Sequence, residues 1–311
     1  MPDVNDEWLA GCRPPLRAPM QACAAGEVPV NIALMRMLVE ASDAGEVERA
    51  LTDAIAHLEG GPERPGALRH LQQAVTLLRN NPQAFDVVRS VIAGVEHAGA
   101  AETPEAGVAQ WAAVFDRAAR ASPEAGVALY ALGNPALLRD ATAEVVARMR
   151  DWGLLGATKA ALDVGCGIGR FEEALAHELG LCVGIDIAAE MIVRAAKRCA
   201  GLPNLAFVRT SGCDLAAFAD RSFDLVFAVD SFPYLVQSGQ LLAALLVREA
   251  ARVLKPGGAL LVLNFSYRGD LTADRGDLRR AGTAAGLQVI RDGTQPFSLW
   301  DGTAFELRKQ D

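Results

Sequence analysis

Three glycines alternate across a predicted strand-to-helix turn in the second half of the chain. Residues 162–171 read LDVGCGIGRF, which puts Gly165, Gly167 and Gly169 at every second position. Glycine lets a ligand approach bare backbone, and the start of the helix that follows presents unpaired N–H groups and the positive end of the helix dipole. The turn therefore predicts a binding site for a carboxylate or a phosphate.

An acidic residue at the end of the next predicted strand points to a nucleoside. Asp186 closes the segment Gly-Ile-Asp-Ile and follows Gly165 by 21 positions, and a carboxylate placed there accepts hydrogen bonds from both ribose hydroxyls. The dinucleotide fingerprint needs a third glycine where this chain has Arg170. The sequence thus disfavours a pyrophosphate ligand, and with it a nicotinamide oxidoreductase.

Short apolar runs alternate with helical segments around these residues. The runs are rich in Val, Ile and Leu and predict buried strands at 160–164, 181–187, 205–208, 223–229 and 259–264. Helical spacing predicts helices at 170–178, 188–200, 241–254 and from about 277 to 286, followed by a hairpin of 288–291 and 304–308. This alternation predicts an α/β fold with a mostly parallel sheet, helices on both faces and a terminal hairpin.

The first half of the chain shows helical periodicity instead. From position 29 to about 150 the apolar residues recur at helical spacing, with breaks at Gly and Pro clusters. We expect an all-helical domain at 1–122 and the α/β domain at 123–311. The helical domain carries no chemical motif, and we expect it to act as a lid that shapes the acceptor site.

Composition excludes several other functions. The net charge of −8 repels phosphate backbones and anionic lipids, so we expect neither nucleic acid nor a membrane as a partner. The six cysteines form no CxxC pair and the four histidines are dispersed, which predicts reduced thiols and no metal site. The first 26 residues lack the basic start and apolar run of a signal peptide, so a cytoplasmic location is expected.

The motifs together resemble a known enzyme family. The glycine turn, the Asp186 strand end, Ser-Phe-Asp-Leu-Val at 222–226 and Val-Leu-Lys-Pro-Gly-Gly at 253–258 are similar to successive motifs of class I S-adenosylmethionine-dependent methyltransferases. The resemblance covers residues 125–311. It implies a Rossmann-like seven-stranded sheet whose last strand is antiparallel and inserted beside the fifth, with S-adenosylmethionine as cofactor.

The resemblance also implies roles for individual cofactor residues. Asp163 and the backbone of the turn would hold the methionine end, and Asp186 would hold the ribose. Adenine would lie against Ile187 and Met191, with its edge contacted from the segment after the third strand. The full predicted cofactor set is Asp163, Gly165, Cys166, Gly167, Gly169, Asp186, Ile187, Met191, Cys213, Asp214 and Asp230.

The loop after the fourth predicted strand lies where the family places residues that face the acceptor. Ser231, Phe232 and Tyr234 are the predicted substrate contacts there, and Tyr130 is a further one from the preceding segment. For the aromatic residues, simple packing is the alternative. No histidine lies in this loop or beyond it, so Asp230 and Tyr234 are the candidates for proton removal.

The predicted activity is transfer of a methyl group to a small molecule, and alternatives remain open. The same cofactor also supports reactions other than methyl transfer, such as intramolecular cyclisation. A non-catalytic module that only binds the cofactor is the third possibility. An adenine-N6 methyltransferase is disfavoured because the basic surface needed to hold DNA is missing.

Overall fold

A computed structural model describes residues 7–9, 11–60, 65–95 and 103–310. These residues form two compact units. Unit 1 comprises the described residues of Met1–Glu96 together with Ala121–Ala141 and Ser298–Asp301. Unit 2 comprises those of His97–Arg120 together with Thr142–Phe297 and Gly302–Asp311. Residues 1–6 and 10, part of the segment examined above for a signal peptide, lie outside the described residues.

The elements described before Gly156 are helices, and strands and helices alternate from Gly156 onward. The first eight helices are α1 Pro14–Ala25, α2 Val30–Glu40, α3 Ala44–Glu59, α4 Pro65–Asn80, α5 Ala84–Val95, α6 Pro104–Ala121, α7 Pro123–Val127 and α8 Pro135–Asp151. Strands and helices then alternate as β1 Gly156–Val164, α9 Arg170–Leu175, β2 Leu179–Asp186, α10 Ala189–Arg198, β3 Leu205–Arg209, β4 Phe223–Val229, α11 Phe232–Ser238, α12 Gln240–Val253, β5 Leu254–Leu263, α13 Leu271–Ala284, β6 Leu287–Thr294 and β7 Ala304–Lys309.

Unit 1 is helical because its sequence supplies both helix starts and apolar faces. Pro14 opens α1 at a position where the missing N–H costs nothing. At the start of α3, the Asp43 side chain accepts a hydrogen bond from the backbone N–H of Glu46 at 2.8 Å. The inward faces bury a common core, in which the fully buried residues include Leu34, Met37, Leu51 and Leu71.

Unit 2 is built on a seven-stranded sheet of order β3-β2-β1-β4-β5-β7-β6. The pairs among β1 to β5 are parallel, and β7 runs antiparallel between β5 and β6. The predicted Rossmann-like sheet is confirmed, including the last strand inserted beside the fifth. Helices cover both faces, so the central strands are buried on both sides, as at Leu260 and Phe227.

The strand order creates a crevice at the carboxyl ends of β1 and β4. These strands are neighbours, but the chain leaves β1 toward β2 and leaves β4 toward β5, in opposite directions. Open α/β sheets bind their ligands at such a switch point. The two loops that carry the sequence-derived site residues therefore begin side by side.

Some boundaries differ from those expected from sequence. The helix after the glycine turn ends at Leu175 instead of 178, β1 begins at Gly156 instead of 160, and α13 begins at Leu271 instead of about 277. The division into units also places residues 103–120 with the sheet, whereas the expected boundary at 122 grouped them with the N-terminal helices. The physical reason is that Val108 of α6 is buried in the core of unit 2.

Among the described helices, none combines the length and apolar composition that crossing a bilayer requires.

Replacing Leu260 with Ala should lower the free energy of unfolding of unit 2 by about 2–5 kcal/mol, because it opens a cavity in the middle of β5. Urea unfolding followed by near-ultraviolet circular dichroism measures this change. Leu241 is 86% exposed at the start of α12, so Leu241→Ala serves as the matched control and should shift stability by no more than about 0.5 kcal/mol. Equal effects of the two substitutions would contradict the assigned core.

Candidate functional site at the carboxyl ends of β1 and β4

The turn after β1 requires glycine for both its conformation and its surroundings. Gly165, Gly167 and Gly169 all have positive φ, of 88°, 54° and 74°. A Cβ atom on Gly165 would lie 2.5 Å from the Cβ of Ser231, in the loop after β4. Each glycine thus adopts a conformation that is unfavourable for L-residues, and Gly165 also lets the two loops approach closely.

The carboxylate of Asp186 ties this turn to the end of β2. Its Oδ2 accepts a hydrogen bond from the backbone N–H of Gly167 at 2.9 Å, and its Oδ1 accepts one from Ala188 at 2.8 Å. Burial raises the pKa of Asp186 to about 6, although the backbone N–H donors act in the opposite direction. Each carboxylate oxygen has a second lone pair, so Asp186 retains the capacity to accept from a ligand hydroxyl.

Two non-glycine residues in the left-handed region follow β4 and β5. Asp230 has φ 58° and Asn264 has φ 62°. Oδ1 of Asp230 accepts hydrogen bonds from Asn264 Nδ2 at 2.7 Å and from the Tyr267 hydroxyl at 2.8 Å. Oδ1 of Asn264 in turn accepts from the backbone N–H of Thr303 at 2.8 Å. Strained backbone of this kind persists where the surroundings hold it, and it is concentrated at functional sites.

An aromatic cluster of Trp111, Phe115, Tyr234 and Tyr267 adjoins Asp230. The Tyr234 ring centroid lies 4.7 Å from that of Trp111, 4.8 Å from Phe115 and 5.8 Å from Tyr267. The contacts are edge-on, which is the favoured geometry for aromatic pairs. Burial and the negative charge of Asp230 raise the pKa of Tyr234 above its ordinary value.

Helix α6 contacts the segments that follow β2, β3 and β4. A Cβ on Gly212, after β3, would lie 3.0 Å from Cγ1 of Val108. Trp111 and Phe115 reach the segment after β4, as described above, and Oδ1 of Asp116 accepts from the backbone N–H of Glu190 at 2.8 Å, after β2. This one helix therefore borders the carboxyl edge of the sheet within unit 2.

The remaining residues of the predicted cofactor set differ in exposure. Three of them are buried: Asp163 at the end of β1, Cys166 in the turn and Met191 on α10. Ile187 and Gly212 are in close contact, since a Cβ on Gly212 would meet Ile187 Cγ2 at 2.5 Å. Cys213 is half-buried, and Asp214 is exposed with its Oδ1 accepting from the backbone N–H of Ala216 at 3.0 Å.

The predicted substrate contacts do not share one environment. Ser231 lies at the glycine turn, where its hydroxyl donates to the carbonyl oxygen of Val164. Phe232 is buried in the core of unit 2 with its ring 5.9 Å from Phe265, which matches the packing alternative. Tyr130 belongs to unit 1, where it is buried and stacked on Trp300 at 6.1 Å. A substrate role for each of these residues stays a prediction.

Four residues of this site escaped the sequence analysis. Asn264 ends a predicted strand and Tyr267 follows three residues later, so the end of β5 could have been searched as the end of β4 was. Trp111 and Phe115 stand in a helix without a chemical motif, and their sequence offers no signal that sets them apart from packing residues. Only the fold places α6 beside Tyr234.

Comparison with known proteins agrees with the sheet and the turn. Residues 162–262 match the family model described as a methyltransferase domain. Over 147 residues the chain is 33% identical to a 2-methyl-6-phytyl-1,4-hydroquinone methyltransferase of Synechocystis sp., a match that covers 44% of each protein. Over 116 residues it is 37% identical to a demethylmenaquinone methyltransferase of Tropheryma whipplei, covering 37% of this chain and 46% of the relative. The chain thus spans less than half the length of these two relatives.

A solved structure shows the same fold. It is phosphoethanolamine N-methyltransferase 1 of Haemonchus contortus in complex with phosphoethanolamine and S-adenosylhomocysteine, with a TM-score of 0.50 and 16% identity, covering 67% of this chain and 50% of that one. The sheet order and the glycine turn define a Rossmann-like domain. Within this fold, residues 162–262 are the part that matches the methyltransferase domain.

Replacing Asp186 with Ala should lower the free energy of unfolding by about 1–3 kcal/mol, because two buried backbone N–H groups lose their acceptor. Chemical denaturation of the ligand-free protein measures the loss. Asp214→Ala is the control, since that carboxylate is exposed and accepts a backbone hydrogen bond only within its own turn. Unchanged stability of Asp186→Ala would show that the carboxylate does not hold the turn.

Proposed function

We propose that the protein binds S-adenosylmethionine in unit 2 and transfers its methyl group to a small-molecule acceptor. The observation that carries the proposal is the left-handed glycine turn held by Asp186 at the switch point between β1 and β4. The match to a methyltransferase domain supports it.

The residues around the turn fit this cofactor. The bare backbone of Gly165 and Gly167 suits the amino-acid end, and Asp186 keeps free lone pairs for the ribose hydroxyls. Ile187 and Met191 supply apolar surface for the adenine, with Cys213 and Asp214 at its edge. When bound, S-adenosylmethionine supplies an electrophilic methyl group, so the chain's main contribution is to orient an acceptor.

The acceptor side is proposed at Asp230 and the aromatic cluster. Tyr267 is half-exposed and its hydroxyl donates to Asp230, so its oxygen has lone pairs available for an acceptor hydroxyl. A proton leaving that hydroxyl would pass to the Tyr267 oxygen while the Tyr267 proton moves to Asp230 Oδ1. Aromatic rings on one side favour a planar or apolar acceptor, and two relatives are named for quinol and quinone substrates.

Unit 1 and the cellular location belong to the same proposal. We assign to unit 1 a role in selecting the acceptor, and to α6 of unit 2 the surface nearest the acceptor side. All six cysteines are free, which agrees with a reducing compartment such as the cytoplasm. Neither nucleic acid nor a membrane is part of the proposed reaction.

The cofactor assignment predicts binding of S-adenosylhomocysteine in the micromolar range and much weaker binding of NAD, because the turn lacks the third dinucleotide glycine. Isothermal titration calorimetry measures both. Incubation with methyl-labelled cofactor and a small-molecule extract, followed by mass spectrometry, then identifies the reaction. A labelled metabolite supports methyl transfer, a cyclised cofactor fragment supports the alternative reaction, and no product supports a binding module.

Replacing Tyr267 with Phe should slow methyl transfer by about 100-fold or more, the lower range for a lost proton-transfer group, while S-adenosylhomocysteine affinity stays within about threefold. The ring and its edge-on contact with the Tyr234 ring remain, so the substitution removes only the hydroxyl, which donates to Asp230 and also interacts with the Tyr234 hydroxyl. Wild-type turnover by Tyr267→Phe on a hydroxyl acceptor would remove Tyr267 from the proposed proton path.

A further inference from the structure

Two carboxyl groups, those of Asp163 and Glu172, are buried together beneath the glycine turn, and Glu172 has no role in the function proposed above. Asp163 is 1% exposed at the end of β1, and Glu172 is completely buried on α9. The two side chains lie close enough to share a hydrogen bond with each other. Within the described chain, no N–H or O–H donor of another residue reaches either carboxyl group.

A glycine on the neighbouring strand makes room for this pair. Gly184 of β2 stands opposite Asp163 in the parallel register. A Cβ on Gly184 would lie 2.5 Å from Oε1 of Glu172 and 2.8 Å from Cβ of Cys166. The carboxyl group of Glu172 therefore occupies the space that a side chain on β2 would otherwise fill, and this directs it at Asp163.

The other charged and titratable groups near the pair compensate little of its charge. Asp186 at the end of β2 adds a further negative charge. The buried thiols of Cys166 and Cys182 also face the pair, and burial raises the pKa of both thiols, so they add no positive charge. Arg170 is the cation that acts on both carboxyl groups, and its guanidinium hydrogen-bonds Thr142 Oγ1 at 3.0 Å and lies 4.3 Å from the centre of the Phe171 ring. Two fully ionised carboxylates in contact would repel each other in this buried place.

We propose that Asp163 and Glu172 share one proton, and that Glu172 is thereby the positioning residue that holds the Asp163 carboxylate under the cofactor-binding turn. The protonated member donates an O–H hydrogen bond to the ionised member, so the pair carries a single negative charge. Burial raises the pKa of both groups, that of Glu172 to about 7. The shared proton does not depend on the proposed function, whereas the positioning role rests on it.

The shared proton is tested by measuring the free energy of unfolding of the ligand-free protein at a series of pH values. A folded state that keeps a proton the unfolded chain has lost becomes less stable as pH rises between the two pKa values. The wild type should therefore lose stability as pH rises above about 5, by up to tenfold in the unfolding equilibrium constant per pH unit for each retained proton. Asp186, whose pKa is raised to about 6, contributes to this slope only at its lower end, whereas the pair contributes at pH 7 and above because the pKa of Asp163 is raised further. Glu172→Gln donates from its amide without titrating, so this variant should show a slope reduced by about one proton and should be more stable than the wild type at pH 8.

Glu173→Gln is the matched control, because Glu173 is the adjacent residue on α9 and lies at the surface beside Arg198. It should keep the wild-type slope. The same slope in Glu172→Gln as in the wild type would overturn the shared proton. So would destabilisation of Glu172→Gln at pH 8.

The positioning role is tested by titrating S-adenosylhomocysteine at pH 7.5. Glu172→Leu fills similar volume without a donor and should bind at least tenfold more weakly, whereas Glu172→Gln should bind within about threefold of the wild type. Wild-type affinity in a folded Glu172→Leu would overturn the positioning role. If the wild type itself does not bind S-adenosylhomocysteine, the proposed function and the positioning role both fail, while the pH series still decides the shared proton.

Discussion

The hydrogen bonds from Gly167 and Ala188 to the carboxylate of Asp186 are the interaction on which the candidate site depends. The bond from Gly167 connects the turn after β1 to the end of β2, two segments that are neighbours only because the strands pair in parallel, and the bond from Ala188 fixes the carboxylate locally. Every second residue of that turn, from Gly165 to Gly169, has a positive φ. This conformation is energetically unfavourable for residues with a side chain but is accessible to glycine. The carboxylate of Asp186 accepts from the N–H of the middle glycine, Gly167, and so fixes the conformation of the turn.

Burying so much acidic charge at one place has consequences for the rest of the site. Asp163, Glu172 and Asp186 are all buried around the turn, and the pKa of each is raised because burial disfavours the charged form. Asp186 is stabilised by backbone N–H groups, whereas Asp163 and Glu172 have mainly each other. A shared proton is the arrangement that leaves neither of these two carboxyl groups without a hydrogen bond.

The proposed acceptor side is another place where polar contacts hold strained backbone. Asp230 and Asn264 take left-handed conformations at the ends of adjacent parallel strands and hydrogen-bond each other. Helix α6 adds Trp111 and Phe115 to this edge of the sheet. The result is a carboxylate beside aromatic rings, next to the switch point where open α/β sheets bind their ligands.

Local sequence determined the elements and the chemistry that belongs to single segments. Apolar runs and helical spacing predicted the sheet, the terminal hairpin and the helical first half, because these patterns reflect burial along one segment. The glycine turn and Asp186 were recognisable because their residue types are demanded by backbone geometry and charge. By contrast, the pairing of Asp163 with Glu172, the link from Asp230 to Asn264 and Tyr267, and the place of α6 were decided by tertiary structure. Each joins residues from different strands or helices, and only the strand order and packing bring such residues together.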